Sequence, residues 1–189
     1  MVEHSTTQCV LFPGIFKRPA VAKFDQRDGS SDGGALLLKA ADRRYGLSAA
    51  LAGCLKDKRQ ASKVDHSLHE LLAQRVFAIA CGYPDANDSA RLASDPVHKM
   101  LLDRDPVSGR DLASQPTLSR FENALGPKEL YAMAEVLALR RILLNLHFAL
   151  GQGTPITHDW MQQLIAEADK DKDRVAQTRL GLSGRQRAS

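Results

Sequence analysis

At 189 residues and 43% hydrophobic content, the chain can build one large domain, or a small domain with appendages. Aromatics are only 5% and Leu and Ala dominate the apolar set, which suits helices better than sheets. The formal charge of +4 is compatible with a nucleic-acid partner without requiring one, and three scattered cysteines, Cys9, Cys54 and Cys81, exclude a disulfide framework.

The N-terminus, Met1-Val2-Glu3-His4-Ser5, has no basic region followed by an apolar stretch, so no signal peptide is expected. The cysteine usage fits a reducing, cytoplasmic setting. Residues 1–30 read as an irregular arm, because Pro13, Gly14 and Pro19 interrupt any helical period. Within it, Val21-Ala22-Lys23-Phe24 reads as one short strand before a turn-rich stretch over 25–34. A lone strand needs a partner.

From Ala35 the spacing of Leu36, Leu37, Ala40, Ala41 and Arg44 predicts a helix, with Ser31 or Asp32 available as its cap. A short helix over 48–55 follows Gly46, and then comes the charged link Lys56-Asp57-Lys58-Arg59-Gln60. The clearest helix spans 67–81. Ser67 and Glu70 match a capping box; Leu68, Leu71, Leu72, Val76, Ile79 and Ala80 form an apolar stripe; Gly82 and Pro84 stop it. Short helices fit 85–93 and 95–102, the second opened by Asp95 and Pro96. A polar loop over 103–113 leads to a helix over 114–125, with Ser114 as cap and Pro116 in its first turn.

Gly126-Pro127 then separates off a long helix ending near Leu150. Residues 136–150 are its most apolar part, but Arg140, Arg141, Asn145 and His147 interrupt them. The run is shorter than the roughly 18 uninterrupted apolar residues of a membrane span, so no membrane partner is expected. Apolar around most of its circumference, this helix should be buried or face a partner. Residues 151–189 form a divergent tail: a break over 151–155, a last helix from His158, and a disordered end from Arg179. The expected fold class is mainly α, a helical domain over 31–150 with one short strand in the arm before it.

Several stretches together resemble one family. They are Phe24-Asp25; Ser31-Asp32-Gly33-Gly34-Ala35-Leu36-Leu37-Leu38; Ala41-Asp42-Arg43-Arg44-Tyr45-Gly46-Leu47; His66-Ser67-Leu68. Further on come Leu71-Leu72-Ala73-Gln74-Arg75-Val76-Phe77-Ala78-Ile79-Ala80-Cys81-Gly82-Tyr83, Asp85-Ala86-Asn87-Asp88, and Leu112-Ala113-Ser114-Gln115-Pro116-Thr117-Leu118-Ser119-Arg120-Phe121-Glu122-Asn123. In this order they resemble the N-terminal portion of bacterial insertion-sequence transposases with a DDE domain of group one, over about residues 20–137. The resemblance implies cutting and joining of DNA at insertion-sequence ends, with three carboxylates holding two Mg²⁺ ions on a ribonuclease-H-like fold.

After Leu137 the resemblance implies a helix leading into an apolar, aspartate-bearing strand; that strand finds no counterpart, and a catalytic domain of roughly 100 residues does not fit in what remains. The expectation is therefore a fragment cut before its catalytic domain, with no catalytic residue, no metal site and no cofactor of its own, Mg²⁺ belonging to the full-length family. The short strand would then pair, in a full-length relative, with the missing catalytic sheet.

Residues 114–125 form the best candidate for a DNA-reading helix. Its first turns offer Gln115, Thr117, Ser119 and Arg120 for phosphate or base-edge hydrogen bonds, with Leu118, Phe121 and Leu125 inside. The bland alternative is a surface helix with a polar start, and the 11-residue loop before it is longer than the tight turn of a helix-turn-helix unit. Lys56, Lys58, Arg59 and Lys63 could neutralise phosphates or simply form a solvated loop diluted by Asp57 and Asp65; Arg43 and Arg44 share that ambiguity. The terminal Arg179, Arg185 and Arg187 could add non-specific attraction or merely fray.

Asp65, His66, His69 and Glu70 lack the spacing of a metal motif, and helix capping accounts for Ser67 and Glu70. Residues 29–34 lack the G-K-[ST] ending of a phosphate loop and read as a turn with a helix cap. The expected partners are DNA at insertion-sequence terminal repeats and, through self-association, a homo-oligomer or intact transposase. The alternatives to a DNA-binding fragment are a helical interaction module acting through dimerisation, or a non-functional remnant.

Overall fold

The computed structural model describes residues 10–11, 15–16, 20–21 and 29–152, and beyond them 157, 159, 162–167, 169–170 and 173. The expected strand residues 22–24, the tail from 174 and its Arg179, Arg185 and Arg187 lie outside the described residues. Among those described, the helices are α1 (Ala35–Tyr45), α2 (Leu47–Ala52), α3 (Leu68–Ala80), α4 (Ser89–Leu92), α5 (Pro96–Leu101), α6 (Gln115–Ala124) and α7 (Pro127–Gly151). Single 3-10 turns occupy Ala61–Lys63 and Ala86–Asp88. The fold is mainly α, as the Leu- and Ala-rich composition implies.

The arm differs from expectation. Two short strands, β1 (Val10–Leu11) and β2 (Ala20–Val21), pair antiparallel, with Val10 opposite Val21 and Leu11 opposite Ala20. The strand therefore has a partner within the arm itself. Two residues are too few to show a period, which is why β1 left no signal in the sequence.

The chain divides into two compact units, residues 1–48 with 59–123, and residues 49–58 with 124–189. In the first, α1 and α3 both pack against α5. Ala35, Leu36, Ala73, Phe77 and Leu101 form the buried cluster, flanked by Phe16, Leu38 and Met100. Each of these helices ends for a local reason. α3 starts at a complete capping box, with the Glu70 N–H donating to Ser67 Oγ at 3.1 Å and the Ser67 N–H to Glu70 Oε2 at 2.8 Å. It stops at Gly82, whose φ of 92° is one that glycine alone adopts without strain. α1 stops at Gly46, left-handed at φ 60°. α5 opens with Asp95 Oδ1 accepting the His98 N–H at 3.0 Å.

The cap expected for α1 is not a side chain. Its N-cap is Gly34, and the Asp32 carbonyl accepts the Ala35 N–H at 2.8 Å. The Asp32 carboxylate turns inward instead. Oδ1 accepts the Tyr83 hydroxyl and Oδ2 meets His98 Nε2, each at 3.1 Å, with His98 only 1% exposed. A long-range polar contact has won over a local cap, because the buried His98 imidazole needs a polar partner and this carboxylate supplies one. The turn at 29–34 thus ties α1 to the Gly82-Tyr83 bend and α5.

Expectation and structure also part over residues 85–93, where a single helix was predicted. A 3-10 turn over Ala86–Asp88 runs into the four-residue α4 instead. Asp85 accepts the Asn87 N–H at 2.8 Å, a local turn that competes with a regular helix start.

In the second unit, Glu129 Oε2 accepts the Gly126 N–H at 2.7 Å and fixes the start of α7. Ala134, Ala138 and Leu164 are buried, and Arg141 pairs with Glu167 at 3.1 Å. Leu137, Leu139, Leu143, Leu144 and Phe148 remain exposed on α7.

Candidate nucleic-acid interface

The helix singled out for DNA contact is α6. It begins where the Ser114 carbonyl accepts the N–H groups of Thr117 and Leu118, both at 3.0 Å. Leu118 and Phe121, three residues apart, bury its inner face. The opposite side then carries Pro116, Arg120 and Asn123, all exposed, with Ser119 half-buried beside them. Arg120 Nε donates to the Pro116 carbonyl at 3.0 Å, laying its stem along the helix. Asn123 Nδ2 reaches Ser119 Oγ at 3.4 Å, a long and weak contact. Gln115 and Thr117 are half-buried, and the Thr117 hydroxyl meets that of Ser114 at 3.2 Å.

The start of α6 is held from behind by α3. Gln74, 4% exposed, donates Nε2 to the Ala113 carbonyl at 2.9 Å and accepts the Ala113 N–H at Oε1 at 3.0 Å. One side-chain amide thus satisfies both backbone groups of a buried residue. The adjacent Arg75 pairs through Nε with Glu122 of α6 and donates Nη2 to the Pro84 carbonyl at 2.9 Å. Leu112, also buried, donates its N–H to the Ala93 carbonyl at 2.9 Å.

The loop before α6 is pinned along its length. Lys39 holds Asp103 and Lys99 holds Asp111, each at 2.8 Å. Arg104 pairs with Glu70 at 3.1 Å and donates to the carbonyls of Arg110 and Asp111, while Arg110 donates to the Asp65 carbonyl. Within the loop, Asp105 Oδ1 accepts the N–H groups of Val107 and Ser108, and the Gly109 N–H returns to the Asp105 carbonyl at 3.0 Å. Residues 103–113 therefore work as a strap, despite a length that suggests mobility. Gln74, Arg75, Arg104 and Asn123 were not legible as site residues. All four sit inside the motifs or the loop, but only the fold shows what each one touches.

The side chains weighed as metal ligands take protein partners. Glu70 faces Ser67 and Arg104; His66 Nδ1 lies 3.1 Å from Arg104 Nη2; His69 Nε2 lies 2.9 Å from Ser48 Oγ, which donates to Asp42. Burial first, and then the Arg104 and Arg110 cations, hold the His66 ring below its usual range. Burial works to raise the Glu70 carboxyl, but the Ser67 N–H and the Arg104 guanidinium outweigh it and leave the group below its usual range.

Lys56, Lys58, Arg59 and Lys63 are all exposed. Lys56 and Lys58 fall in the unit of residues 49–58 and 124–189, whereas Arg59, Lys63 and α6 fall in the other. The basic stretch is thus divided between the two. Arg43 donates to the Ile15 carbonyl, and the Arg44 guanidinium lies 5.8 Å from the Tyr45 ring centre.

A family model described as transposase DDE domain group 1 matches residues 12–167, well over half of the chain. The chain belongs to that family. The matched span is longer at both ends than the resemblance read from the motifs, and it covers the strap, α6 and all of α7. No curated protein and no solved structure matches this transposase-family chain. Enzymes of the family use divalent metal ions, which need several oxygen or nitrogen ligands converging on one point. Among the described residues no group of three or more His, Cys, Asp or Glu side chains is placed to hold one. The donor set described does not fit that ion, and no step through it follows from these residues. Nor is any described helix long and apolar enough to cross a membrane.

Proposed function

We propose that this chain is the DNA-binding part of a DDE transposase, gripping the terminal repeats of its element without itself breaking phosphodiester bonds. The observation that carries this reading is the presentation of α6: Arg120 and its polar neighbours face outward, while Gln74 and Arg75 hold the helix from behind. Recognition helices need that rigidity, because base-edge contacts tolerate little displacement. In this reading Gln115, Thr117, Ser119 and Arg120 make the contacts from α6, and Lys56, Lys58, Arg59 and Lys63 neutralise phosphates. The reading of inactivity rests on the sequence after α7, which offers no apolar, aspartate-bearing strand.

Fluorescence anisotropy with a duplex of the element's end sequence tests it. Binding should weaken steeply with salt; Lys58→Ala should lower the salt slope by about one, and Arg120→Ala should reduce sequence preference. Unchanged binding by both variants would remove the site assignment, and Mg²⁺-dependent strand transfer by the purified chain would overturn the inactivity.

A second reading is favoured by the apolar residues that α7 leaves in solvent, among them Leu139, Leu143 and Phe148. There the helix associates with a second copy or with intact transposase. Concentration-dependent dimerisation abolished by Leu143→Asp would support that role, and a monomer at all concentrations would dismiss it.

A further inference from the structure

Among the residues on the outer side of α6, Asn123 has no role in the reading above. It is exposed at the end of the helix, three residues after Arg120 and seven after Pro116, so all three share one stripe. Its Nδ2 is steered toward Ser119 Oγ at 3.4 Å, which engages one N–H of the amide. Among the described contacts Oδ1 takes no partner, and an amide offers the donor–acceptor pair that matches the N7 and N6 edge of adenine. Arg120 contributes the complementary chemistry, a planar fork suited to the O6 and N7 edge of guanine. Its Nε is occupied by the Pro116 carbonyl, so among the described contacts the two terminal nitrogens remain for a base.

Three residues along an α-helix advance about 4.5 Å, close to the roughly 3.4 Å between successive base pairs along a strand. We infer that Asn123 and Arg120 together read two neighbouring base pairs, an A·T beside a G·C, and that Ser119 is the positioning residue that orients the Asn123 amide. This rests on α6 being the DNA-reading helix and specifies what it reads. Glu122, between them in sequence, lies on a different side of the helix and pairs with Arg75.

The test is selection of duplexes from a randomised double-stranded library by the intact chain, followed by sequencing. The wild type should enrich a motif containing adjacent guanine and adenine. Asn123→Ala should lose the preference at the adenine position alone, a discrimination of roughly 5- to 150-fold, while Arg120→Ala loses it at the neighbouring guanine. Ser119→Ala should weaken the adenine preference without abolishing it, a split that a purely structural role would not produce. All three variants are at exposed or half-buried positions, and an unchanged melting temperature confirms that they fold.

If Asn123→Ala enriches the wild-type motif, or lowers binding equally at every sequence, Asn123 is not a base reader even though α6 still binds DNA. If the wild type enriches no motif at all, the reading of α6 itself fails and this inference fails with it.

Discussion

Replacing Gln74 by Leu keeps the volume of the side chain and removes both hydrogen bonds to Ala113. The two orphaned groups are the N–H and C=O of a residue 1% exposed, where water does not replace the lost partner. Each such group costs about 1–3 kcal/mol, and the added apolar contact offsets part of it, so Gln74→Leu should destabilise by about 2–5 kcal/mol. In thermal unfolding followed by circular dichroism that is a fall of roughly 5–15 °C. Gln74→Glu adds a pH signature. One carboxylate oxygen still accepts the Ala113 N–H, but the other faces a carbonyl unless it carries a proton. The folded-state pKa of that glutamate is therefore raised, and its stabilising contribution is full below an unfolded value of about 4.3 and lost as pH rises through the folded value. The gap between Gln74→Glu and wild type should widen from acid to neutral pH. A Gln74→Leu variant within about 0.5 kcal/mol of wild type would refute the view that this amide holds α6 in place.

Two further outcomes follow from the strap. The folded state favours the neutral His66 ring, so its contribution is present above the unfolded value of about 6.5 and is lost as pH falls through the lower folded value. His66→Gln, which still accepts from Arg104, should flatten the decline of melting temperature below about pH 6.5; an unchanged slope would place that decline elsewhere. At Gly109 an added Cβ would lie 2.2 Å from the Asp105 carbonyl oxygen and 2.9 Å from its nitrogen. The strap must shift, and Gly109→Ala should cost about 1–3 kcal/mol in urea unfolding, with a wild-type midpoint counting against a tight strap.

What could be read in advance was local. The capping box at Ser67 and Glu70, the Asp95-Pro96 start and the stop at Gly82 act over a few residues, and each stands in the structure within a residue or two of its expected place. A strand is legible at Val21, which β2 contains, but its partner β1 is not, because two residues are too few to show alternation. Ser31 and Asp32 both fit a cap in the sequence, because a cap and a buried acceptor draw on the same residue types, and the partners that decide for Asp32, Tyr83 and His98, are 51 and 66 residues away. The same distance hid the site. Polar residues at the start of α6 were legible from their spacing, but Gln74 is 39 residues from Ala113, and no pattern in the chain announces that pairing. Asn123 was passed over because recognition helices are read from their first turns, whereas burial of Leu118 and Phe121 turns the last turn outward as well.

Photo-crosslinking to a duplex of the insertion-sequence end measures most directly which surface meets DNA. A benzophenone-bearing residue would replace Arg120 on α6 in one preparation and Leu37, an exposed residue of α1, in another. Crosslinks from position 120 to the end duplex, suppressed by unlabelled end DNA and absent from position 37, are the expected result. Equal labelling from both positions, or none from 120 while the chain binds the duplex, would contradict a DNA-reading role for α6.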